Sequence, residues 1–179
     1  MADLNLAGAY ADKQRVEAIF DDLDRLSERF AAQLRVALFG KDHPHDDLHL
    51  FTKLQAEMLI LAVHLTDRIE IQPLGSARED ELNTALYDEI EEKAPVWLWH
   101  SVKEHLDERL HEYARWPDFY VGLTTDSTDG PLFLKFAEVV TAAYGVSTPA
   151  SIDAVAKIGP AFFRDVRSNL SLPSMALTQ

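Results

Sequence analysis

Between residues 10 and 39, Val16, Ile19, Phe20, Leu23, Leu26, Phe30, Leu34 and Leu38 recur at steps of three and four, with charged residues between them. That period predicts one long amphipathic helix, and Gly40 marks its stop. A polar break, Lys41-Asp42-His43-Pro44-His45, leads to Asp46 and Asp47, whose carboxylates suit the free amides and the positive end of a helix start. A second helix is expected from there to about Ile71, ahead of Pro73. Leu54, Met58, Leu59, Ile60, Ala62, Val63 and Leu65 cover nearly its whole circumference, which predicts the most buried of the long helices.

Ser76-Ala77-Arg78-Glu79 has the form of a reciprocal capping box, and a third helix should run from it to about Lys93. Leu82, Ala85, Leu86 and Ile90 face one side of that helix, and the other side is acidic. Pro95 fits the first turn of a fourth helix, which Leu98, Val102, Leu106, Leu110 and Tyr113 carry on to about Arg115. Trp116-Pro117 ends it, and the Thr, Asp, Ser and Gly content up to Gly130 predicts a surface loop. Pro131 opens a helix through Tyr144, with Phe133, Phe136, Ala137 and Val140 inward and Gly145 closing it. Thr148-Pro149 is a further cap and first turn, for a helix that Gly159-Pro160 should split, its second half running from Pro160 to about Asn169.

Strand alternation is missing from every window, and no unit repeats at 20 to 50 residues. The fold class is therefore all-α: one domain over 1–179, a bundle of six or seven helices without a sheet, its long first pair antiparallel, its ends 1–9 and 171–179 loose.

A chain of 179 residues is long enough to bury a core without covalent staples. It contains no cysteine, so disulfides, thiolate metal sites and a cysteine nucleophile are excluded. With 30 acidic against 17 basic residues the net charge is -13, a field that repels phosphate backbones and anionic lipid, so neither nucleic acid nor membrane is an expected partner. The opening residues carry neither the basic segment nor the apolar core of an export signal. The uncharged run 58–65 is shorter than the roughly 20 residues of a membrane span. A soluble, cytoplasmic protein is expected.

Candidate chemistry centres on residues 57–68. At about 100° per residue, Glu57, His64 and Arg68 fall within roughly 40° of one another, with Asp67 beside them. Either Glu57 and His64 line an interior cavity that holds a metal or a small polar ligand, or Glu57 pairs with a basic side chain of a neighbouring helix and His64 is a satisfied core histidine. The second arrangement is preferred, since buried polar groups in native folds are mostly satisfied without catalytic purpose. In it, Asp67 and Arg68 belong to an exposed last turn.

Glu108 and His111 have the spacing of carboxylate-bridged two-metal bundles, but the chain lacks a second such motif, the nearest substitute being Asp46 with His49. Both also point away from the stripe of Leu106, Leu110 and Tyr113, toward water. His43, His45 and His49 form the densest histidine cluster; the helix start at 46 or 47 leaves them an exposed segment, suited to adventitious metal at most. Asp126 to Gly130 lacks the ligand alternation of a calcium loop, and neither a phosphate loop nor a nucleophile elbow is present. No cofactor is required.

Trp97 and Trp99 flank Leu98 on the fourth helix. Trp99 turns inward with Leu106, and Trp97 is left nearly opposite, as on a contact surface. The expected role is a protein-interaction or regulatory module, a homodimer through the Trp97 surface. The alternative is a bundle that binds a metal or small polar ligand near Glu57 and His64, with enzymatic activity open.

Overall fold

The computed structural model describes residues 2–43, 47–71, 76–114 and 131–170, and among them seven α-helices and no strand. The first stripe becomes α1, Ala2–Phe39, which buries Val16, Ile19, Phe20, Leu23, Leu26, Phe30, Leu34 and Leu38 as the period requires. Gly40 follows at φ +83°, a left-handed turn that glycine enters without strain. The helix begins upstream of its stripe. Residues 2–9, expected as a loose end, are helical backbone, since they hold no proline and are rich in alanine and leucine.

The short link after α1 folds α2, Leu48–Thr66, back along it, and Asp47 caps α2 by accepting from the Leu50 amide at 2.9 Å. Every residue from 54 to 66 is buried. The helix lies against α1 on one side and meets later helices on the others, as its all-round apolar surface demands. Among the described residues it is the one helix long and apolar enough to cross a membrane by length and composition, and 72% of that stretch is covered by the bundle.

The third helix, α3, spans Ser76–Lys93 and sets Leu82, Leu86 and Ile90 against α1, with Asp80, Asp88, Glu91 and Glu92 exposed opposite. The side chains of the expected capping box, Ser76 and Glu79, lie outside the described residues. Between α2 and α3 the continuous α-helix expected as far as Ile71 gives way to a π-helical turn, Asp67–Ile71. Thr66 donates its hydroxyl to the Ala62 carbonyl at 2.9 Å, competing for an acceptor of the helix ladder. The wider turn lets Asp67 accept from Asn83 of α3 at 2.7 Å while Ile71 stays in the core.

The fourth helix, α4, is Val96–Ala114 and packs along α2. Pro95 stands one position outside it, not in its first turn; its carbonyl accepts from the Leu98 amide at 2.8 Å and that of Trp99 at 3.0 Å, the role of a cap. The loop predicted for 116–130 lies outside the described residues.

Pro131–Ala143 forms α5, Pro149–Ala156 α6 and Ile158–Leu170 α7. Gly145 closes α5 at φ +68°. Thr148 caps α6 in a reciprocal box with Ser151. The break between α6 and α7 falls at Lys157, ahead of Gly159-Pro160, which leaves that proline in the first turn of α7, where its missing amide costs no ladder bond. Phe30 and Phe162 meet edge to face at 4.9 Å and bind α7 to α1, with Arg29 and Asp165 paired beside them. The tail 171–179 lies outside the described residues.

Candidate functional site

Helix α4 packs along α2, with α3 between them in sequence. Glu57 thereby faces Arg109, and His64 faces Tyr113. The Arg109 Nε donates to Glu57 Oε2 at 3.0 Å and its Nη2 to Oε1 at 3.0 Å, a two-pronged ion pair between residues only 1% and 5% exposed. Arg109 Nη1 lies 3.5 Å from Glu112 Oε2. Burial alone would weaken the hold of Arg109 on its proton, but the hydrogen bonds and charge of Glu57 reverse this and hold it above the usual guanidinium range.

The His64 ring lies 5.0 Å from that of Tyr113, tilted by 41°. Burial pushes His64 down to about 3, and the positive charge of Arg68 adds to the effect. Tyr113 is fully buried and pushed well up, by burial and then by the charge of Glu57; its hydroxyl has no hydrogen-bond partner among the described residues. Tyr144, half-buried at the end of α5, is raised by the same two causes. These side chains make a buried polar layer where α2 meets α4.

The four residues grouped by angle are thus divided. Glu57 and His64 both turn to α4, Asp67 turns to Asn83, and Arg68 stays half-buried beside His64. Asp67 and Arg68 are both half-buried and not on a freely exposed turn, and Asp67 is tied to α3 through Asn83. His43 rests its ring on Phe39 at 4.8 Å, and its carbonyl accepts from Arg35 at 2.7 Å; His49 is exposed, and His45 and Asp46 lie outside the described residues. Glu108 and His111 are exposed, where the helical angle puts them. Among the described residues no three His, Asp or Glu side chains converge as a metal site.

Arg109 escaped the sequence reading although its position was informative. Val102, Leu106, Arg109 and Tyr113 step by four, three and four along one face, so an arginine stands in the inward stripe of α4. Its outer side borders an open cleft of about 480 Å³ between α4 and α5. His105, Glu108, Arg109 and Glu112 form one wall, and Lys135, Glu138, Val139, Ala142 and Ala143 the other.

No family model, characterised protein or solved structure matches this chain.

Proposed function

We propose that this chain is a soluble, cytoplasmic interaction module that pairs with a second copy of itself through the first turns of α4. Trp97 carries the proposal: it is 49% exposed, beside Val96 at 71%, while Leu98 and Val102 of the same helix are buried. An exposed tryptophan offers more apolar area per side chain than any other residue, and such residues are enriched at the energetic centres of interfaces. The choice of a second copy rests on charge. Residues 94–103 include no aspartate or glutamate in a chain that has 30 of them, so this face adds no carboxylate of that stretch to the repulsion between two acidic molecules.

The interior-ligand alternative has less support, because both oxygens of Glu57 accept from Arg109. Sedimentation equilibrium over a hundredfold range of concentration tests the pairing. The unmodified chain should be dimeric at the upper end, and Trp97→Ala should be monomeric throughout with its melting temperature little changed. A monomeric unmodified chain, or a dimer that survives Trp97→Ala, overturns the proposal.

A further inference from the structure

We draw no further inference here: the strongest candidate, the fully buried Tyr113 hydroxyl in the polar layer between α2 and α4, belongs to the site already described, and no second observation among the described residues points to a ligand for it.

Discussion

Both carboxylate oxygens of Glu57 accept from Arg109, each at 3.0 Å, across the interface of α2 and α4. The pair is almost fully buried, so its two charges owe their stability to each other. Removing one partner leaves the other charge uncompensated in a medium that solvates it poorly. Glu57→Leu and Arg109→Met should each cost about 3–5 kcal/mol, and the double change should recover a large part of that loss. Urea unfolding of the four proteins measures the coupling. If the two losses simply add, the ion pair is not what holds these helices in register.

His64 gives the fold a defined response to acid. Its ordinary value is 6.5, and burial followed by the charge of Arg68 pushes it down to about 3 in the folded chain. As the pH falls, the unfolded chain therefore takes up this proton first. The stability gained by keeping His64 neutral is complete above about 6.5 and is lost as the pH drops toward 3, by at most about 1.4 kcal/mol per pH unit. His64→Phe, which keeps a ring against Tyr113, should lose less stability than the unmodified chain between pH 6 and pH 4. Urea midpoints of the two proteins across that range are the measurement. Parallel curves would mean that His64 titrates alike in both states.

Much of this architecture was legible because helical period is a local property. Gly40 and Gly145 stand where the stripes end and take the left-handed turns expected of them, and Thr148-Pro149 opens α6 as cap and first turn. The outward placing of Trp97, Glu108 and His111 follows from the same angular count. What the period does not contain is the docking of one helix on another. Glu57 announces that it needs a cation, but Arg109 answers it only because α4 packs along α2, 52 positions away in sequence. The π-helical turn is hidden for the same reason, since Asp67 leaves the α-helical path to reach a neighbour on α3.

Glu108 and His111 test the angular count directly. Both are exposed on α4, so changing the two to alanine together should shift stability by no more than about 0.5 kcal/mol. The shift should be the same with and without added zinc or manganese. Thermal melts of the double variant decide this, and a metal-dependent rise that the double change abolishes would return these residues to a metal site.

Gly159 offers the sharpest test of packing in the second half of the chain. It lies in the first turn of α7, and a Cβ placed on it would stand 2.6 Å from the Cβ of Phe133 and closer still to the ring. The crowding involves the root of the phenylalanine side chain, which moves only with the backbone of α5. A rotamer change therefore relieves it incompletely. Phe133 is buried against Phe163, with ring centres 6.3 Å apart, so a displaced ring also disturbs the α5–α7 contact. Gly159→Ala should destabilise by about 1–3 kcal/mol, although alanine is otherwise the better helix former by nearly 1 kcal/mol. Phe133→Ala placed on top of Gly159→Ala should cost less than Phe133→Ala alone, because loss of the ring removes the two nearest contacts and leaves a cavity that the added methyl partly fills. Denaturant midpoints of the two single variants and the double variant provide the comparison. A Gly159→Ala protein as stable as the unmodified chain, or more so, would show that α5 and α7 do not approach this closely.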